Sequence, residues 1–334
     1  MQPIKNPVAR LFIHLILILF VIYSAVPFFW TTLQSLKTVR QANARTPLFI
    51  FNPTFDNYIN LWLEEPPDNL LAWGLGLIMV IVILVFISIA ASQLPSHRQE
   101  VYWAIAAVVV LILWGLPRVV NTAEFYDYFL NTIIVTVGTV VVSISIGCLA
   151  GYALARYAGI LGVIILVVAL GFRALPRLAF VLPYYWIGQV TGLHDTYLLL
   201  IITLVAVNQP FTVWMLRSFF MEIPREMEDA AMVDGCNRLT AFLRVILPIT
   251  WPGIISTSLF TILLAYNEFL LVKILTQSKW TLPVAIAQFT GGEDPGHITL
   301  ASAASVSATI PIVILILFFQ QQLVKGLAAG AVKG

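Results

Sequence analysis

The sequence predicts an all-α, polytopic membrane helical bundle of about eight spans. Two bulk properties and one pattern predict it. Hydrophobic residues make up 60% of the 334 and charged residues only 10%, against about 25% charged in a soluble domain. Mean hydropathy is +0.94. The pattern is a series of apolar runs long enough to cross roughly 30 Å of hydrocarbon as helices. Net charge is +2 with no basic stripe, so the composition excludes a soluble enzyme, a disordered chain and a nucleic-acid binder. Cys148 and Cys236 are the only cysteines, too few for a disulfide framework or a zinc site.

Each element follows from such a run and its punctuation. Residues 11–30 follow Lys5 and Arg10, and no small-residue cleavage site comes after them, so 1–30 reads as an uncleaved N-terminal span. Residues 31–70 form an external loop. Runs at 71–91, closed by Ser92-Gln93-Leu94-Pro95, and at 101–116, closed by Pro117-Arg118, predict an inserted hairpin over 71–118. Further spans are expected at 128–154, 160–187 (interrupted by Arg173, Pro176 and Arg177), 197–216, 248–272 and 298–319. An even count puts both termini on one side. Ten Lys and Arg against six favour that side being the cytoplasm of a multi-pass cell-membrane protein.

The polar stretch 217–245 carries nine of the 34 charged side chains, which suits either a solvated connector or a docking surface. Its wording favours docking. Pro224 fits the first position of a helix, where a missing N–H costs nothing. Glu226, Glu228 and Asp229 complement the dipole of its first turns, and Gly235 is the expected left-handed stop. A second short helix is expected at 238–246 before Pro248 starts the next span. Ala230 and Ala231 are small enough for the first helix to sit deep in a partner's cleft.

Asp229-Ala230-Ala231-Met232-Val233-Asp234-Gly235 resembles the cytoplasmic coupling loop of ABC importer permeases, which reads Glu-Ala-Ala, three residues, then Gly. Asp229 replaces the usual Glu, and Cys236 stands where Ala is common. The resemblance extends to Asn131-Thr132-Ile133-Ile134-Val135, to Gly151-Tyr152-Ala153-Leu154-Ala155-Arg156-Tyr157, and to Pro210-Phe211-Thr212-Val213-Trp214-Met215-Leu216-Arg217. Tyr266-Asn267-Glu268-Phe269 and the end Gly326-Leu327-Ala328-Ala329-Gly330-Ala331-Val332-Lys333-Gly334 complete it. The last is similar to the C-terminus of the carbohydrate-importer subset, the subunit type of the maltose importer. Residues 10–60 match loosely and 125–334 closely.

That resemblance implies a six-span permease core, with 125–325 holding the coupling loop 217–247, an extra hairpin at 71–118 and a tail at 326–334. It implies a sister permease as heterodimer partner, two ATPase subunits and an extracytoplasmic solute-binding protein. Glu228, Asp229, Ala230, Ala231, Asp234 and Gly235 would couple to an ATPase. Gly330, Ala331, Val332, Lys333 and Gly334 would reach the ATPase pair, and Trp280, Thr281, Leu282 and Pro283 would probe the binding protein. The chain has no phosphate-cradling Gly-rich Lys-Ser/Thr motif, so no cofactor of its own is expected and ATP belongs to the partner. No His-Glu-x-x-His, Gly-x-Ser-x-Gly or Cys/His cluster suggests catalytic residues or a metal.

Arg173 and Arg177 fall one helical turn apart within an expected span, and intramembrane charge is a functional candidate by default. Three readings stand. They line the path of a polar or anionic substrate, they pair with Glu268 or the sister permease, or they snorkel to an interface. Asn267 and Glu268 are expected as path or gate residues, or as a buried polar helix contact. The expected cargo is a carbohydrate. An anionic solute such as a glycerol phosphodiester is the alternative on the same fold. A stand-alone ion-coupled secondary transporter is the alternative of another class.

Overall fold

The computed structural model describes residues 7–65, 67, 69, 74–75, 79–80, 82–83, 87, 98–157, 159–291 and 296–331. Among these the chain is helical, with extended pairing limited to a bridge between Leu63 and Thr122. The helices are α1 Pro7–Ser35, α2 Val39–Ala42, α3 Asp56–Trp62, α4 Arg98–Val119, α5 Glu124–Arg156, α6 Gly159–Arg173, α7 Arg177–Thr191, α8 Tyr197–Glu222 and α9 Arg225–Val233. After these come α10 Arg238–Ile249, α11 Trp251–Tyr266, α12 Leu270–Leu275, α13 Leu282–Thr290 and α14 His297–Ala331. Most of the expected run at 71–91 lies outside the described residues.

Two compact units emerge. The first holds Met1–Asp127 with Gly292–Val306, and the second Tyr128–Gly291 with Ser307–Gly334. In the first unit, α1 is apolar and exposed from Leu11 to Phe29, a surface that needs hydrocarbon rather than water as its solvent. The loop after it is fastened by Asn57, whose Nδ2 donates to the carbonyls of Ser35 and Lys37, each at 2.8 Å. Lys37 is buried with its ammonium over the rings of Trp30 and Phe51, at 4.6 and 5.2 Å, and burial lowers its pKa.

The second unit is organised around α5 and α8. Tyr197 donates to Asn131, Ser143 to Gln209 at 2.9 Å, and Arg156 to the Ile223 carbonyl at 3.1 Å. These pairs keep a constant sequence offset of 66 or 67, so the two helices run parallel and in register. Gly147 permits the contact: a Cβ there would lie 2.8 Å from Thr212 Cγ2. Parallel neighbours require the chain to return between them. The α6–α7 pair, bent by 93°, is therefore one broken crossing and not a loop that re-enters on the same side. Pro176, which disfavours helical backbone at the residue before it, sits at the break as the N-cap of α7.

A second break of 74° separates α10 from α11. Pro252, which cannot donate a helical hydrogen bond, occupies the first turn of α11. Thr212 and Thr261 hydroxyls meet at 3.3 Å, and a Cβ on Gly253 would strike Phe219, so α11 runs antiparallel to α8. Among the described residues four helices are long and apolar enough to cross a membrane, or up to six with each bent pair taken as one span. The expected span at 248–272 is corrected: its helix ends at Tyr266, and α12 is a separate segment. Val181, Leu199, Leu200, Leu204, Leu271 and Leu275 form the apolar core where α7, α8 and α12 meet.

Candidate coupling site

The polar loop folds as its sequence leads one to expect, with Pro224 one place earlier, as N-cap rather than first residue. The helix α9 ends in two reversed hydrogen bonds, from Gly235 N–H to Met232 O at 3.1 Å and from Cys236 N–H to Ala231 O at 3.0 Å. This closing motif needs a left-handed residue, and Gly235 supplies φ +90°.

The two faces of α9 differ in role. Glu228 and Ala231 are buried inward, whereas Met227, Asp229, Ala230, Val233 and Asp234 are exposed. Glu228 Oε2 accepts from Arg156 Nε at 3.1 Å, and its other oxygen accepts from the Tyr152 hydroxyl. Arg156 in turn reaches the Ile223 carbonyl, and Arg225 donates to the Arg156 carbonyl at 3.1 Å. Of the expected coupling residues, Glu228 and Ala231 are turned into the bundle, while Asp229, Ala230, Asp234 and Gly235 are exposed. Beneath them Cys148, Leu216, Phe220, Ile223, Phe242, Ile246 and Ile254 form a second apolar core. A wide turn at Phe242–Ile246, in which Leu247 N–H reaches back to Phe242 O, lies between α9 and α11.

Arg173 and Arg177 do not share a helix face, because the break separates them: Arg173 ends α6 and Arg177 begins α7. Arg177 forms an ion pair with Glu268, Nη1 to Oε2 at 3.4 Å, without hydrogen-bond geometry. Glu268 is buried and its Oε1 accepts from Leu271 N–H at the start of α12. The Arg173 guanidinium stacks over Phe211 at 4.6 Å. Asn267 is exposed and its amide turns back to the Leu263 carbonyl.

At the other end of the bundle, Asn131 donates to Trp280 O at 2.9 Å and Leu282 N–H donates to Thr132 Oγ1 at 2.9 Å. Thr281 and Leu282 are buried, so they offer no surface to a binding protein, whereas Gln277 and Ser278 nearby are exposed. The α14 helix continues through Gly330 and Ala331; Val332, Lys333 and Gly334 lie outside the described residues.

Residues 143–329 match the family model described as binding-protein-dependent transport system inner membrane component. The chain belongs to that family. This permease is 36% identical to the trehalose/maltose transport system permease protein MalG of Thermococcus litoralis over 64% of its own length and 77% of that protein. It is 38% identical to the diacetylchitobiose uptake system permease protein DasC of Streptomyces coelicolor, over 63% and 77%. It is 31% identical to the inner membrane ABC transporter permease protein YcjP of Escherichia coli, over 78% and 95%. Its fold is that of a chain from a bacterial ABC transporter that imports the acidic polysaccharide alginate, with TM-score 0.65, 18% identity and coverage of 96% and 99%. Family membership implies an ATPase and a solute-binding protein as partners of the permease. In the sequence Tyr152 and Arg156 stand out only as part of the Gly151–Tyr157 motif. The signal that could have found them is a lone cation closing a long apolar helix, 72 residues before a carboxylate that needed a partner.

Proposed function

We propose that the chain is the translocating subunit of an ABC importer for a carbohydrate, paired with a different sister permease and driven by two separate ATPases. Both termini lie in the cytoplasm. The single observation that carries the coupling reading is the division of α9 into a bonded inner face and an exposed outer one. The Glu228–Arg156 pair and Tyr152 transmit a push on the outer face directly to α5, and the Ile223 carbonyl passes it to α8. When the ATPases close on ATP, α9 moves with these two parallel helices and shifts the bundle between inward- and outward-facing states. The breaks in α6–α7 and α10–α11 are the flexible points. The carbohydrate assignment rests on the named cargo of MalG and DasC.

Glu268 and Arg177 form the gate across the path, with Asn267 beside them. Gly330 to Gly334 reach the ATPase pair, and Trp280 and Pro283 shape the outer corner met by the binding protein. Within the 71–118 insertion, α4 faces lipid: Val108 to Leu111 and Trp114 are all exposed. Family membership leaves the ion-coupled transporter without support.

The test is reconstitution of this chain with a sister permease, ATPase and binding protein in proteoliposomes. ATP-dependent, vanadate-sensitive uptake of a disaccharide is expected. Uptake by this chain alone, driven by an ion gradient and indifferent to vanadate, would overturn the reading.

A further inference from the structure

A cleft of about 460 Å³ opens beside α9, lined by Leu149, Tyr152, Tyr157, Arg238, Leu239 and Phe242. Its walls are aliphatic and aromatic, and Arg238 is the one charged group among them. Leu149 continues a stripe on α5 with Val142 and Ile146, all three exposed. Spacings of three and four put them on one helix face. The cleft therefore begins where an apolar stripe facing the acyl region ends, at the last turns of a membrane-crossing helix. Tyr157 and Arg238 stand at its mouth. Arg238 Nη1 donates to the Tyr157 hydroxyl at 2.8 Å and its guanidinium lies over that ring at 5.3 Å. This orients the fork and leaves further donors for an anion. Among the described residues no carboxylate forms an ion pair with Arg238. Aromatic rings and snorkelling arginines with one wet and one apolar end mark the headgroup level of a bilayer.

We propose that this cleft binds one anionic phospholipid. Its phosphate is held by Arg238, and an acyl chain runs past Leu239 and Leu149 onto the α5 stripe. Continuity with that stripe, together with a single cation at headgroup depth, argues for a lipid over a peptide. A fork-shaped guanidinium suits a phosphate oxygen pair. The floor of the cleft is Tyr152 and Phe242, whose rings are 4.6 Å apart, and the Tyr152 hydroxyl is the one that bonds Glu228. A seated lipid thus braces the ring that anchors α9 and raises ATP-driven turnover; this second clause rests on the coupling function proposed above.

The experiment uses the assembled permease–ATPase complex in nanodiscs of phosphatidylcholine, with or without added phosphatidylglycerol. Native mass spectrometry counts the phosphatidylglycerol retained by this subunit. Wild type is expected to keep one molecule, and Arg238→Gln to bind it about fivefold more weakly, the contribution of one interfacial arginine. Leu239→Glu, at an exposed position that folding tolerates, should repel it as well. Inorganic phosphate added to phosphatidylcholine discs should not substitute. Equal retention by wild type and both variants would overturn the site. So would a photoreactive group at Leu239 that crosslinks to the sister permease or the ATPase instead of lipid. ATP hydrolysis is read in parallel: retained lipid without stimulation leaves the site standing and sinks its link to α9.

Discussion

Glu228 and Arg156 face each other at 3.1 Å with their side chains 8% and 5% exposed, joining the nine-residue α9 to the end of the 33-residue α5. Removing one member of a buried pair strands the other charge, at a cost of about 3–5 kcal/mol. Glu228→Ala should therefore lower the thermal unfolding midpoint of the detergent-solubilised chain sharply. Combining Glu228→Met with Arg156→Met should recover much of the loss, since neither charge is then left alone. An unchanged midpoint for Glu228→Ala would show that the pair does not hold α9.

The opposite face of α9 should behave in the reverse manner. Val233 is 87% exposed, so Val233→Asp should change stability by no more than about 0.5 kcal/mol. It should nevertheless abolish co-purification of the ATPase and ATP-driven uptake. Retention of the ATPase by this variant would move the docking surface elsewhere.

Asp195 links the α7–α8 turn to the segment after α12. Its carboxylate accepts from Gln277 N–H at 2.8 Å, Ser278 N–H at 2.9 Å, Ser278 Oγ at 2.8 Å and the Thr276 hydroxyl. Burial alone raises the carboxyl's pKa, but the hydrogen bonds from Thr276, Ser278 and Gln277 outweigh it and hold the group well below the usual carboxylate range. With the folded value depressed, the stabilisation is complete above the unfolded value of about 3.9. It fades as pH falls through the folded value. The stability gap between wild type and Asp195→Asn should stay level at neutral and mildly acid pH and narrow below about pH 4. Unfolding midpoints across a pH series measure it, and a gap that widens on acidification would contradict the assignment.

Arg177 has Glu268 beside it, whereas Arg173 has only the Phe211 ring and no ion pair among the described residues. On the proposed import path, Arg173 would be the cation that an anionic cargo meets. Arg173→Gln should depress uptake of a charged solute about tenfold or more relative to uptake of a neutral sugar, since a hydrogen bond to a charged group is worth roughly 1.5–3 kcal/mol. Equal effects on both cargoes would leave Arg173 a structural role only.

How far the sequence reaches differs between local and non-local features. Hydropathy located the long spans, and α9 was legible from an acidic first turn and a glycine stop, because helix caps and membrane length are local properties. The division of α9 into an inner and an outer face was not legible, since a nine-residue helix carries charge on both sides. Only the packing of α9 against α5 shows that Glu228 is the internal charge and Asp229 the exposed one. The same limit explains Arg173 and Arg177: their spacing suits one helix face, but Pro176 ends that helix between them. Trp280-Thr281-Leu282 reads as an outer loop, yet its backbone is bonded to Asn131 and Thr132, about 150 residues earlier in the chain. Composition and caps by themselves determined a membrane helix protein with one charged loop between its later spans. Which charges are satisfied inside the bundle, and which are left for partners, was decided by tertiary structure, because a charge is neutralised by what lies within a few ångströms in space.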